Sequence, residues 1–207
     1  MNVTLDLAYR AALLLLLVPA FAASIRLRRR ADRAGGQIPR SEDPAGVAVA
    51  LRITGATYYG SVLLWLVYPP ALGWSAVSVA PALRWTGILV TASGLGLAVW
   101  SLRHLGSNVT PTAIARPDAE LVDTGPYRRV RHPLYSSMFL TVPGIAMASA
   151  SLVVLVAGAA MLATIVVRTR AEEKNLEREL GEDYRSYVDA TGRFFPRFPD
   201  RGGGRSR

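Results

Sequence analysis

Long apolar stretches separated by short polar ones dominate the chain. A helix needs about 20 mostly apolar residues to cross a bilayer core about 30 Å thick. Three stretches meet this requirement, at 5–25, 47–68 and 82–102. A fourth, 134–167, is too long for one span and short for two, so we interpret it as a tight hairpin of two helices that turns near 149–151. The pattern predicts an all-α integral membrane protein of about five transmembrane helices with a C-terminal helical hairpin.

The basic residues lie between and after the apolar stretches, a distribution typical of a membrane protein and not of a nucleic-acid-binding patch. Of 24 Lys and Arg, six lie in 26–40, five in 103–133 and ten in 168–207. Such residues accumulate in cytoplasmic loops. We therefore expect the N-terminus outside, with the 103–133 loop and an amphipathic tail in the cytoplasm, and we expect the membrane to be the inner (plasma) membrane of a bacterium.

Two further features of composition bear on topology and chemistry. The basic cluster follows the first apolar stretch, whereas a signal peptide carries its positive charge in front. Aromatic residues around the second connection are typical of a belt at the membrane interface: Trp65, Tyr68, Trp74 and Trp85. The chain has no cysteine and only two histidines, so we expect neither disulfides nor a metal site.

The first polar block, 121–135, reads LVDTGPYRRVRHPLY. Gly125-Pro126 is a turn signal. Pro133 disfavours a helical His132 but fits the first turn of the next helix. Free backbone N–H groups at such a helix start attract anions. The spacing leaves two readings equally open, an interfacial loop with solvated arginines or a loop that binds a carboxylate.

The second polar block runs from 170 to 187 and continues to 196. Helical spacing places Glu173 on one face with Leu176, Leu180 and Tyr184. A carboxylate on a packed face at the membrane surface needs a partner, such as a cationic ligand or sugar hydroxyls. Ordinary ion pairs, for example between Glu172 and Arg168 one turn earlier, remain the favoured interpretation of this block alone.

Taken together, the motifs resemble the isoprenylcysteine carboxyl methyltransferase family, and in part the related phospholipid N-methyltransferases. They are Gly-Pro-Tyr at 125–127, Arg-His-Pro-x-Tyr at 131–135, Glu-Glu at 172–173, Gly-x-x-Tyr-x-x-Tyr at 181–187 and Arg-Phe-x-Pro at 193–196. The resemblance implies a single membrane domain over 1–207, with N-terminal spans in 1–95, a methyltransferase-like catalytic region in 96–198 and a flexible tail in 199–207. It also implies S-adenosylmethionine as cofactor in a pocket that faces the cytoplasm.

The resemblance further implies a set of site residues. Arg193 and Tyr135 are the candidate catalytic residues. His132 is expected to meet the methionine carboxylate and not to act as a base, because a carboxylate acceptor is already ionised at neutral pH and methyl transfer needs mainly positioning. Adenine is expected near the start of the first block. The candidate cofactor-binding residues are Leu121, Val122, Gly125, Tyr127, Arg131, His132, Tyr135, Glu172 and Glu173.

Three positions depart from the family pattern. Ser137 stands where Gly is frequent, Glu120 where His or another neutral polar residue is frequent, and Ala190 where many members have Arg. The last departure weakens a prenylcysteine assignment, since that Arg is thought to meet the substrate carboxylate. Arg185 and Arg193 are alternative sources of positive charge on the same tail.

Several functions remain open. The leading hypothesis is methyl transfer to a lipophilic acceptor that enters from the bilayer and offers a carboxylate, an amine head group or a thiol. The alternatives are a membrane reductase of the sterol-reductase-like type that uses a nicotinamide cofactor, and a non-catalytic membrane protein. Expected partners are a lipophilic or lipid substrate and membrane lipids, with no nucleic acid. We assign no role to His104, which we expect at the interface.

The distribution of basic residues makes the topology testable in this cysteine-free chain. We expect Ser78→Cys to react with an impermeant thiol reagent in intact cells, because its connection should face outward. Ser41→Cys and Ser186→Cys should react only after the membrane is opened. Labelling of Ser186→Cys in intact cells contradicts the predicted orientation.

Overall fold

The computed structural model describes residues 3–34, 45–105 and 121–197, and within them the chain is helical. Residues 35–44, the position of Glu120 and the tail at 199–207 lie outside the described residues. The two β-bridges are isolated pairs, so the predicted all-α class is confirmed. The helices are α1 (Val3–Ala34), α2 (Ala45–Val67), α3 (Pro81–Leu105), α4 (Pro133–Ser149) and α5 (Leu152–Ala190), with 3-10 helices at Pro69–Ser75 and Gly125–Arg128.

Four of these helices, α1, α2, α3 and α5, are long and apolar enough to cross a membrane. Helix α4 has 17 residues, which gives a length of about 26 Å at 1.5 Å per residue. Large apolar side chains such as Leu15, Phe21 and Val156 are exposed, as expected where lipid tails surround the helices. The part of the chain that the structure describes thus contains four candidate spans, and a fifth crossing by α4 stays a prediction.

Small residues allow α3 and α4 to approach closely. A Cβ added at Gly87 would lie 2.6 Å from the Gly144 carbonyl oxygen, and one added at Gly144 would lie 2.5 Å from Thr91 Oγ1. Ser137, where the family often has Gly, fits the same interface because it is small and its hydroxyl donates to the Leu134 carbonyl at 2.6 Å. Close backbone contact between small residues is a common means of packing helices in membranes.

The predicted hairpin between α4 and α5 turns where the sequence indicated. Ala150 adopts the left-handed conformation at φ 51° and ψ 41°, and Ser151 begins α5 by accepting a hydrogen bond from the Val154 N–H. The Val77 N–H donates to the Ala150 carbonyl at 2.9 Å. The connection between α2 and α3 therefore packs on the tip of the hairpin.

Helix α5 changes direction at Gly181, and this corrects one expectation from the sequence. Gly181 has φ 57° and ψ −130°, a conformation that side chains with a Cβ disfavour. The single helical face predicted to carry Glu173, Leu176, Leu180 and Tyr184 is therefore interrupted before Tyr184, because the spacing argument assumed a continuous helix. The final segment instead returns towards the first polar block, and Tyr184 is buried there.

The α3–α4 contact generates a stability prediction. We expect Gly144→Leu to lower the thermal midpoint of the detergent-purified protein, since overpacking a tight contact costs typically 1–3 kcal/mol. Gly96→Leu is the matched control, because an added Cβ at Gly96 meets no atom within 4 Å. Equal midpoints for the two variants, measured by differential scanning fluorimetry, contradict the close approach of α3 and α4.

Candidate functional site

The carboxylate of Glu173 gathers three basic side chains from two distant parts of the chain. Its Oε1 accepts hydrogen bonds from Arg131 Nε at 3.2 Å and Arg193 Nε at 3.0 Å and lies 3.3 Å from His132 Nε2. Its Oε2 accepts from Arg193 Nη2. We call Arg131, His132, Glu173 and Arg193 the Glu173 cluster. Glu173 is 13% exposed and His132 5% exposed, so the contacts form largely away from water.

Backbone pairing sets the register of the Glu173 cluster. The Arg131 N–H donates to the Gly192 carbonyl at 2.8 Å, and the His132 N–H donates to the Arg193 carbonyl at 3.0 Å. The Gly192 N–H donates to the Arg129 carbonyl at 3.1 Å. This short parallel pairing lays the tail beside the loop before α4 and places Arg193 and His132 on the same carboxylate.

Arg131 also fixes the end of α5. Its Nη1 donates to the Val188 carbonyl at 3.1 Å and to the Thr191 carbonyl. Carbonyls at the end of a helix lack partners within the helix, and a guanidinium offers five donors in a rigid fork. Arg131 thus joins Glu173 to the C-terminal end of the same helix that carries it.

A second polar cluster adjoins the first and is centred on Tyr135. The Tyr135 hydroxyl donates to Glu172 Oε2 at 2.8 Å and accepts from Arg168 Nη1 at 2.9 Å. The ring of Tyr135 stacks on the ring of His132 at 5.6 Å between centroids. Of the Glu-Glu pair at 172–173, Glu172 therefore belongs to this second cluster and Glu173 to the first.

Aromatic residues of the tail form a wall beside His132. Phe194 lies 6.0 Å from the His132 ring and 5.1 Å from Phe139, and Phe195, which is 68% exposed, lies 6.4 Å from Phe139. Ser136 holds this segment in place because its hydroxyl donates to the Phe194 carbonyl at 2.6 Å. An apolar surface thus continues from the clusters to the outside of the molecule.

The start of the first polar block lies against α3 and α5. Tyr127 is buried, and its carbonyl accepts a hydrogen bond from the Tyr187 hydroxyl at 2.6 Å. Burial, with the nearby Tyr187 and Glu172, raises the pKa of the Tyr127 phenol, which therefore stays neutral. Gly125 has φ +57°, and a Cβ there would collide with the ring of His104. His104, to which the sequence assigned no role, is a neighbour of this loop.

Six of the site residues predicted from the sequence lie close together in the structure, and others lie elsewhere. Arg131, His132, Tyr135, Glu172, Glu173 and Arg193 converge on the two adjoining clusters. Leu121 and Val122 are half-buried and take no part in the hydrogen bonds of these clusters. Arg185 instead pairs with Glu177 and Glu182 on the exposed face, and Ala190 is exposed.

Three residues that sequence reasoning missed are Arg168 at Tyr135, Ser136 at Phe194 and His104 at Gly125. Arg168 was considered only as a partner for Glu172. A signal for Ser136 existed in its position one turn after His132, whose carbonyl also accepts from the Ser136 hydroxyl at 3.0 Å. His104 and Gly125 lie on either side of residues 106–120. The spacing of residues within one helix or loop therefore could not predict their contact.

Residues 82–183 match the family model described as phospholipid methyltransferase. The match covers 102 of the 207 residues, just under half of the chain. The matched segment runs from the start of α3 into the charged part of α5 and includes both polar blocks as far as Asp183. The match confirms the resemblance to phospholipid methyltransferases that the motifs predicted. Arg193 and the aromatic wall lie beyond the C-terminal end of the matched segment.

A solved structure similar to the chain is that of the eukaryotic intramembrane Ras methyltransferase, isoprenylcysteine carboxyl methyltransferase, without a monobody. The two sequences are 22% identical and the TM-score is 0.48. The similarity covers 77% of this chain and 54% of that protein, so the chain spans about half of its length. No curated protein matches the chain.

The Glu173 cluster makes a prediction about local order. In Glu173→Gln we expect faster amide hydrogen exchange in 188–197 than in the wild type, because removing one charge of a buried set leaves its partners uncompensated, at a cost of roughly 3–5 kcal/mol. Glu177→Gln is the matched control, since its pair with Arg185 is exposed and is expected to contribute about 0–1 kcal/mol. Equal exchange in both variants contradicts the role given to Glu173.

Proposed function

We propose that the chain is an integral-membrane methyltransferase that transfers a methyl group from S-adenosylmethionine to a lipophilic acceptor. The observation that carries the proposal is the convergence of the two polar blocks of a phospholipid methyltransferase family segment on Glu172 and Glu173. These blocks are separated by the apolar hairpin of α4 and α5. Their meeting creates a compact set of charged groups at one end of the helices.

The donor set fits an amino-acid group such as the methionine part of the cofactor. The arginines next to His132 in the Glu173 cluster supply positive charge and N–H donors for a carboxylate, and the His132 ring offers a further hydrogen-bonding nitrogen. Glu172, whose Oε2 already accepts from Tyr135, is positioned to accept from an ammonium group. The half-buried Leu121 and Val122 offer apolar surface for adenine. The Tyr184 hydroxyl is buried without a partner among the described residues, so a further polar group is expected near it.

When bound, S-adenosylmethionine supplies a methyl group already activated on a sulfonium centre. The protein then has mainly to hold the cofactor and the acceptor in line, and fixed geometry is worth a large part of such a barrier. In the proposal Glu173 holds Arg131 and His132 in place, and Tyr135 orients Glu172. A carboxylate acceptor needs no base because it is ionised at neutral pH.

The acceptor side is proposed to lie at Arg193 and the aromatic wall. The Arg193 side chain is 40% exposed, so it is the member of the Glu173 cluster most open to an incoming anion. An anionic acceptor group would share Arg193 with Glu173, while Phe139, Phe194 and Phe195 contact its apolar part. This arrangement provides positive charge although position 190 is Ala and lies on the exposed face.

The reductase alternative is less well supported, because the family that matches 82–183 is described as a methyltransferase family. The two functions differ in the cofactor they require. Binding of S-adenosylmethionine and of a reduced nicotinamide dinucleotide to the same purified protein therefore discriminates between them.

We expect isothermal titration calorimetry on detergent-purified protein to detect S-adenosylmethionine binding that is weakened in His132→Ala and Glu172→Gln. Loss of a hydrogen bond to a charged group costs roughly 1.5–3 kcal/mol, which is about 10- to 150-fold in affinity. Arg185→Gln, which changes an exposed pair outside the clusters, should bind like the wild type.

Three other binding results would contradict parts of this proposal. Binding of the nicotinamide cofactor without S-adenosylmethionine would support the reductase, and binding of neither would support a non-catalytic protein. Wild-type affinity in both site variants would leave cofactor binding intact but place it away from His132 and Glu172.

A further inference from the structure

A second polar site lies at the opposite end of the helices from the Glu173 cluster. A cavity of about 430 Å³ opens where α1 and α3 begin and α4 ends, and residues of the 3-10 helix Pro69–Ser75 also line it. Its lining includes Asp6, Tyr9, Trp65, Gly73, Arg84 and Ser149. We call it the Arg84 cavity. Its volume falls in the range of ligand pockets, about 300–1,000 Å³, and the length of α4 separates it from the site proposed for methyl transfer.

Arg84 is buried, at 8% exposure, but its hydrogen-bonding capacity is only partly used. Its Nη1 donates to Asp6 Oδ1 at 2.6 Å and its Nε donates to the Ala148 carbonyl at 2.8 Å. A guanidinium has five N–H donors. Among the residues that the structure describes, Nη2 of Arg84 has no hydrogen-bond acceptor and Oδ2 of Asp6 has no donor. A donor and an acceptor of opposite charge thus remain available in one cavity.

Tyr9 adds a polar group without a partner. Its ring lies under the Arg84 guanidinium, with 4.0 Å between Cζ and the ring centroid. The residue is 1% exposed, and its hydroxyl makes no hydrogen bond within the described ranges 3–34, 45–105 and 121–197. Buried hydroxyl groups are almost always hydrogen-bonded. The Arg84 cavity therefore holds three unused polar functions on two helices.

The paired charges select the class of ligand. A simple anion at Arg84 would be repelled by Asp6, and a simple cation at Asp6 would be repelled by Arg84. A zwitterion provides a partner for each, and Trp65 offers an aromatic surface of the kind that attracts an ammonium group. The remaining lining is largely apolar, with Leu5, Leu72 and Val77, and the connection beside it carries the aromatic residues typical of a membrane interface.

We propose that the Arg84 cavity binds the zwitterionic head group of a membrane lipid, with its phosphate at Arg84 and its ammonium at Asp6. The proposal does not depend on the methyltransferase assignment, because none of its residues belongs to the two clusters at the other end of the helices.

The test uses the full chain reconstituted in nanodiscs of equimolar phosphatidylcholine and phosphatidylglycerol, released into detergent and analysed by native mass spectrometry. We expect the wild type to retain phosphatidylcholine over phosphatidylglycerol by about tenfold, the ratio produced by about 1.4 kcal/mol. Asp6→Asn should reverse the preference towards phosphatidylglycerol, because it removes the negative charge that repels an anionic lipid.

A pair of glycine variants tests the location without disturbing the Arg84–Asp6 contact. Gly73 lines the cavity, and a Cβ added there meets no atom within 4 Å, so Gly73→Trp should fill it and abolish the retained lipid. Gly60→Trp is the matched control, since an added Cβ at Gly60 also meets no atom within 4 Å and Gly60 is not part of the lining.

Three outcomes would overturn the proposal. Equal retention of both lipids by the wild type would contradict the inference that the Arg84–Asp6 pair prefers a zwitterion to an anion. Retention by Gly73→Trp equal to that by Gly60→Trp would place the lipid elsewhere. Displacement of the lipid by soluble glycerophosphocholine at the same concentration as by a short-chain phosphatidylcholine would identify a free zwitterion, and not a membrane lipid, as the ligand.

Discussion

The carboxylate of Glu173 is the contact on which the candidate site depends. It lies on α5, whereas Arg131 and His132 precede α4 and Arg193 follows the end of α5. A buried carboxylate with several charge-assisted hydrogen bonds stabilises its partners strongly. Arg131, whose side chain is 9% exposed, would be a costly buried charge without Glu173. The Glu173 cluster is thus formed as a unit, and it holds together three segments that have no continuous secondary structure in common.

The positions of these segments follow from the packing of α3 on α4. Gly87 and Gly144 bring the two backbones together, and Ser137 keeps the interface narrow where it approaches Gly94. The start of α4, with His132 before Pro133, is therefore fixed relative to the end of α3, where the His104 ring meets Gly125. Gly181 then turns the last part of α5 so that Tyr187 contacts Tyr127 and the tail pairs with the loop.

Buried charged residues occur at both ends of the helices. Charged side chains within helices of a membrane protein are costly and commonly have functional roles. At one end the carboxylate of Glu173 is surrounded by three basic partners, and at the other the guanidinium of Arg84 is paired with the carboxylate of Asp6. The two arginines at Glu173 leave an excess of positive charge that suits an anionic group, whereas the Arg84–Asp6 pair offers one charge of each sign, which suits a zwitterion.

The sequence by itself determined the helical class and the turn near residue 150, and it indicated the resemblance that the family match over 82–183 bears out. These features depend on local composition and on the order of motifs, which are readable without knowing how helices pack. The resemblance to isoprenylcysteine carboxyl methyltransferases also nominated His132, Tyr135, Glu172 and Glu173 as a group, on motifs that lie on either side of an apolar hairpin.

Only the tertiary structure decided which charged residues are partners. Arg185 and Arg193 both offered positive charge on the tail, but Arg193 reaches Glu173 while Arg185 pairs on the exposed face. The spacing of residues along the sequence could not show which of the two arginines reaches Glu173, because the bend at Gly181 and the backbone pairing of Gly192 with the loop before α4 set the direction of the tail. The contact between Asp6 and Arg84, 78 positions apart, was likewise invisible to local patterns because it arises only when α1 packs on α3.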